Sequence, residues 1–85
     1  MMKVYIVIEG VEYDYPDEQD AEHIIGVYER KVDALAHISR RYDEEREGRG
    51  IEPTEDDGIG SDTASLYDEQ DGCLLGWEIQ TREVW

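Results

Sequence analysis

Apolar and polar positions fall into distinct segments along this chain. Residues 3–9 read KVYIVIE, and Val4, Tyr5, Ile6, Val7 and Ile8 form an unbroken, β-branched-rich run. A run of that length predicts a central strand, covered on both faces or nearly so. Residues 23–29, HIIGVYE, predict a second strand through Ile24, Ile25, Val27 and Tyr28. Gly26 in its interior marks a bulge or a close backbone approach. From Lys31 to about Glu47 the spacing turns helical, with a narrow stripe of Val32, Leu35, Ala36, Ile38, Ser39 and Tyr42. Asp33 lies in the first turn and Arg46 and Arg49 near the end, where Gly48 and Gly50 signal a stop. Arg30 stands where a capping Ser or Asp is expected. The opposite face, Arg40, Arg41, Asp43, Glu44, Glu45 and Glu47, is expected to be wet. A short strand begins at Ser65–Tyr67, and Asp71-Gly72 signals a turn. The last strand runs from Cys73 to Val84, with Leu75, Trp77 and Ile79 alternating with Gly76, Glu78 and Gln80. The order ββαββ predicts an α+β fold, a small antiparallel sheet with one helix packed on one face. A single domain, residues 1–85, is expected, with the first two strands paired antiparallel.

Two segments fall outside this periodicity. In residues 10–22 the acids Glu12, Asp14, Asp17, Glu18, Asp20 and Glu22 occur with no basic residue among them, beside Pro16, Tyr13 and Tyr15. An acidic loop or hairpin extension is expected there. Residues 48–62 combine Gly48, Gly50, Gly58, Gly60 and Pro53 with Glu52, Glu55, Asp56 and Asp57. That is the composition of a mobile loop, and one long enough to be functional or disordered.

Charge sharpens the picture. The 85 residues carry 23 acidic and 8 basic side chains, a formal net charge of −15. Such an excess repels itself in the compact state. It serves solubility or salt tolerance, or it presents a negative surface to a basic partner. It disfavours direct binding to nucleic acid or to anionic membranes. With 39% hydrophobic residues the core is small, and homodimerisation would enlarge it. A single cysteine, Cys73, rules out an internal disulfide and suits a reducing compartment. The opening apolar run is too short for a signal peptide or a membrane span, so a cytoplasmic protein is expected.

Catalytic patterns are weak, and the protein is not expected to be an enzyme. His23, His37 and Cys73 are far apart, and no Ser sits in a nucleophile elbow. The same residues lack the short spacings of a zinc site. Residues 55–62, EDDGIGSD, look superficially like a calcium loop, but Gly58 and Gly60 stand where the pattern needs Asp or Asn. The glycines of residues 48–60 follow a helix and are interleaved with carboxylates that would repel phosphate. No cofactor or metal is expected.

The carboxylates therefore carry the functional reading. Acids two apart on an extended segment lie about 7 Å apart on one side. Glu12 and Asp14 would have that spacing, a row resembling duplex phosphates. The expected partner-binding residues are Glu12, Tyr13, Asp14, Tyr15, Asp17, Glu18 and Asp20, the tyrosines serving as anchors. Glu44, Glu45, Glu47, Asp56 and Asp57 would extend the footprint.

The segments KVYIVIEG, IIGVYERKVDALAHI and GWEIQTREVW resemble small uncharacterised proteins of phages and bacteria with a KVYxV opening strand. That resemblance implies a fold and no catalytic residues. In size, acidity and α/β character the chain is also similar to phage-encoded anti-CRISPR and anti-restriction inhibitors. This likeness implies an inhibitor in the host cytoplasm, occupying the basic nucleic-acid site of a defence complex. The alternative is a phage or bacterial interaction module whose acidity serves solubility. Its partner surface would be a sheet edge, or the last strand with Trp77 and Trp85. A small metal-binding enzyme or sensor is the third reading.

Overall fold

The computed structural model describes residues 2–14, 21–54 and 57–84. It contains an antiparallel sheet with one helix against it, an α+β architecture. The elements are β1 (Met2–Tyr13), β2 (Ala21–Tyr28), α1 (Lys31–Arg49), β3 (Gly58–Ile59), β4 (Thr63–Asp68) and β5 (Cys73–Val84). The spatial order is β2-β1-β5-β4-β3. The two apolar-rich strands β1 and β5 lie side by side along their whole lengths, from Met2 opposite Val84 to Tyr13 opposite Cys73. Four of the five strands match expectation. The short β3 pairs with Ser65 and Ala64 of β4, inside the segment expected to be a mobile loop.

Strand alternation divides the sheet into two faces. Val7, Leu66, Leu75, Trp77 and Ile79 are buried toward α1, joined by Ala34, Ile38 and Tyr42 from the helix. Trp77 and Tyr42 meet with ring centroids 5.9 Å apart. The other face carries Val4, Ile6, Ile8, Gly10 and Glu12 of β1, and no described element packs on it. The expected cover on both faces of β1 is therefore half met. Ile8 is nevertheless buried, between its cross-strand neighbours Ile24 and Glu78.

Gly26 fulfils both readings of a glycine within a strand. The register of β1 and β2 shifts between Val7 and Ile8, across from Ile25. At Gly26 a Cβ would approach His37 Nδ1 to 2.9 Å. The end of α1 also follows its sequence signal. Gly50 is left-handed (φ 67°) and donates its N–H to Glu47 O, while Ile51 N–H reaches Arg46 O. These bonds form a Schellman stop, with Ile51 packed on the core. Arg30 supplies no side-chain cap.

The helical stripe needs correction. Val32, Ala36 and Ser39 are exposed, and the inward arc is Ala34, Ile38 and Tyr42 with Leu35 at its margin. At 100° per residue, Arg41, Glu45 and Arg49 share roughly the same arc. Arg41 and Glu45, expected on the wet face, are in fact half-buried.

Candidate partner-binding face

Charged side chains, from buried Asp68 through half-buried Arg41, Glu45 and Arg49, form a ladder along the seam between α1 and the sheet. Arg41 Nε donates to Glu9 Oε1 at 2.9 Å, and its other nitrogens reach Glu44 and Glu45 at 2.7 and 2.8 Å. Arg49 continues the ladder to Glu45 at 2.8 Å, Asp68 at 2.9 Å and Asp71 at 3.0 Å. Trp77 donates its indole N–H to the same Glu9 oxygen at 2.8 Å. Burial alone would raise the Glu45 and Asp68 carboxyls. Hydrogen bonds from Arg49, with Arg41 for Glu45 and the Asp71 and Gln70 amides for Asp68, outweigh it and hold both below their ordinary values. Hydrogen bonds that Arg41 donates to Glu9 and Glu44 raise its guanidinium above its ordinary value. Cys73 is buried beside Arg49, and burial pushes its thiol up.

This ladder determines where the negative charge stays uncompensated. Four of the six arginines lie on α1, where they pair with acids of the helix or of the seam. Glu44, Glu45 and Glu47 each have an arginine within 4.0 Å and so make a poor docking patch. Glu12, Glu22, Glu52 and Glu69 have no cationic partner among the described residues.

Hydrogen bonds draw part of the expected acidic set together at the end of the sheet bearing the β4–β5 turn. The backbone N–H of Asp14, just beyond β1, donates to Gly72 O at 2.8 Å. The Tyr67 hydroxyl donates to the Asp14 carboxylate, and Tyr67 N–H donates to Asp57 Oδ1 at 3.0 Å. Asp57 also accepts from Thr54 N–H at 2.9 Å, tying the segment after α1 to β4. A hollow of ≈ 920 Å³ lies there, with Glu52, Asp57, Tyr67 and Glu69 among its lining and the ion-paired Arg49 beside them. On the open face, Tyr67, Leu74 and Glu12 are successive cross-strand neighbours and form a row beside it.

The expected set is thus divided. Glu12, Asp14 and Asp57 come together, whereas Tyr13 is half-buried on the helix side of β1. Glu12 and Tyr13 belong to β1 itself rather than to a loop. Tyr15, Asp17, Glu18, Asp20 and Asp56 lie outside the described residues. The expected partner-binding set left out Tyr67, Glu52, Glu69 and Glu22, although Glu22 and Glu52 stand in the two acidic segments. The outward phase of Tyr67 was available from alternation along β4, since Ala64, Leu66 and Asp68 are the buried positions.

The alternative surface needs a correction too. Trp77 is buried under α1 and β5 is an interior strand, so neither the indole nor a free strand edge is available there to a partner. Trp85 lies outside the described residues. His23 Nε2 lies 3.6 Å from Glu9, and the Tyr28 hydroxyl and His37 Nδ1 are hydrogen-bonded at 2.7 Å. Among the described residues, no group of three or more His, Cys, Asp or Glu is placed to hold a metal ion. No helix among them is long and apolar enough to cross a membrane.

No curated protein and no solved structure matches the chain. A family profile does, across residues 2–65, from the start of β1 into β4. The chain belongs to the family described as a domain of unknown function, DUF7336.

Proposed function

We propose that this protein is a non-enzymatic binding protein that docks its carboxylate-rich end on a basic protein surface of the kind that holds nucleic acid. The observation that carries this reading is the sequestration of arginine. Arg41 and Arg49 are turned into the helix–sheet seam, while Glu12, Glu22, Glu52 and Glu69 have no cation among the described residues. Unpaired carboxylates at this end of the sheet, on a chain of net charge −15, favour fast, salt-sensitive association with a positive partner. Tyr67 supplies an aromatic group within that field. The narrower reading, an inhibitor that blocks the nucleic-acid channel of a defence complex, rests on the likeness in size and charge.

Capture from a cell lysate at low salt, followed by elution along a salt gradient, tests the proposal. A nucleic-acid-processing partner, released by moderate salt and displaced by added DNA or RNA, is the expected result. A partner indifferent to both would remove the reading. It would favour an interaction module using the apolar strip of the open sheet face, where Ile24 and Val27 are 61% and 57% exposed.

A further inference from the structure

On the open face, Gly10 of β1 and Gly76 of β5 stand directly opposite each other. Neither has a positive φ. A Cβ at Gly10 would find its nearest neighbour, the Ala21 carbonyl oxygen, at an ordinary 3.4 Å, and one at Gly76 would find only Ala64 O at 4.0 Å. The backbone therefore accepts a side chain at both positions. Glycine within a strand adds unfolded-state freedom and gives up packing, so the fold gains nothing from either. What the pair creates is a bare stretch of peptide backbone in the middle of the sheet. A depression of ≈ 470 Å³ lies over it, with Ile8 and Leu74 among its walls.

The chemistry of the rim selects an occupant. Glu12, Glu22 and Glu78 line the depression, and among the described residues no lysine or arginine does. Glu12 and Glu22 have no ion pair among the described residues, and Glu78 accepts only from the Gln80 side chain, at 3.4 Å. The nearest cation along β5 on this face is Arg82, six residues beyond Gly76 and so roughly 20 Å away. A flat peptide floor, apolar walls and several separated carboxylates suit a planar cation on an aliphatic stem. Guanidinium stacks on planar groups and forks to carboxylates, whereas the compact, strongly hydrated ammonium of lysine does neither.

We propose that the Gly10–Gly76 slot on the open face of the sheet receives an arginine side chain of the basic protein partner. The inference rests on the docking reading above and names the group that the docked surface must present.

The test is a titration of the isotope-labelled full chain with a short oligoarginine peptide and its oligolysine counterpart at low salt. The expected result is about tenfold tighter binding of the arginine peptide, with the largest amide shifts at Gly10, Gly76 and their strand neighbours. A Gly10→Ala, Gly76→Val double variant should melt at the same or a higher temperature and bind both peptides alike. Arginine preference retained in that variant, or shifts centred elsewhere in the unaltered protein, overturns the slot while leaving the acidic docking end intact. A lower melting temperature in the variant overturns the premise that the fold leaves the slot free. Failure of both peptides to bind overturns the slot and the docking reading together.

Discussion

A Cβ at Gly26 would lie 2.8 Å from Tyr28 Cε2 and 2.9 Å from His37 Nδ1, and this glycine marks a place where the fold has no room. Gly26→Ala must push apart the Tyr28–His37 pair, whose rings meet edge to face at 5.7 Å. Chemical denaturation should register a loss of about 1–3 kcal/mol, as for other overpacked sites. Gly10→Ala and Gly76→Ala should each fall near zero or on the stabilising side. A strand glycine is visible in sequence, but whether its side-chain space is filled by the fold or left to a partner is not. That depends on register, and the bulge opposite Ile25 sets it. His37 adds a pH signature. Burial, then the charges of Arg40 and Arg41, lower its pKa from 6.5, against weaker opposition from Glu9 and Glu44. Its contribution to stability is therefore complete above pH 6.5 and is lost as pH falls through the lower folded value. A proton-NMR titration should place the His37 midpoint below 6.5.

Among the elements, α1 departs most from its sequence reading. Large apolar residues fix the inward direction of its first half at Ile38 and Tyr42. Its second half continues that arc with Glu45 and Arg49, which a hydrophobicity pattern assigns to solvent. The signal that could have corrected this is Glu9, a lone acid at the end of an apolar strand and in phase with Val7. A carboxylate on the inner face needs a cation, and Arg41 is the helix residue that meets it. Arg41→Ala should cost about 2 kcal/mol, since Glu9 would keep only the Trp77 N–H and, at 3.6 Å, exposed His23. The β4–β5 turn depends on Asp68 in the same way, through Arg49 and two backbone amides. Because the Asp68 and Glu45 carboxyls are held low, their contribution is complete above the ordinary carboxylate range near pH 4. It is lost as pH falls through their folded values. Asp68→Asn should flatten the acid limb of a urea-denaturation series; an unchanged limb would remove Asp68 from this account. By contrast β1, β5 and the Gly50 stop were legible, because alternation, run length and glycine after a charged last turn are local signals.

At the scale of the whole molecule, 23 acids against 8 bases leave an excess that the ladder cannot absorb. The melting temperature should therefore rise by several degrees between about 0.02 and 0.5 M NaCl, as screening relieves repulsion faster than it weakens the buried pairs. A fall would show that the ion pairs dominate. The sequence marked the acids but not their division. Glu44, Glu45 and Glu47 were indistinguishable in composition from Glu12 and Asp14, and the chain path separates them by placing arginines beside the first three. The direct test of the central claim compares two charge-neutralised variants that remove equal charge. One carries Glu12→Gln, Glu22→Gln and Glu69→Gln; the other carries Glu29→Gln, Glu44→Gln and Glu47→Gln. Their salt-dependent capture of a nucleic-acid-displaceable partner is measured with both proteins folded. The first variant should lose capture and the second retain it. Equal loss in both would mean that net charge alone drives association, and retention in the first would contradict the assignment of the docking end.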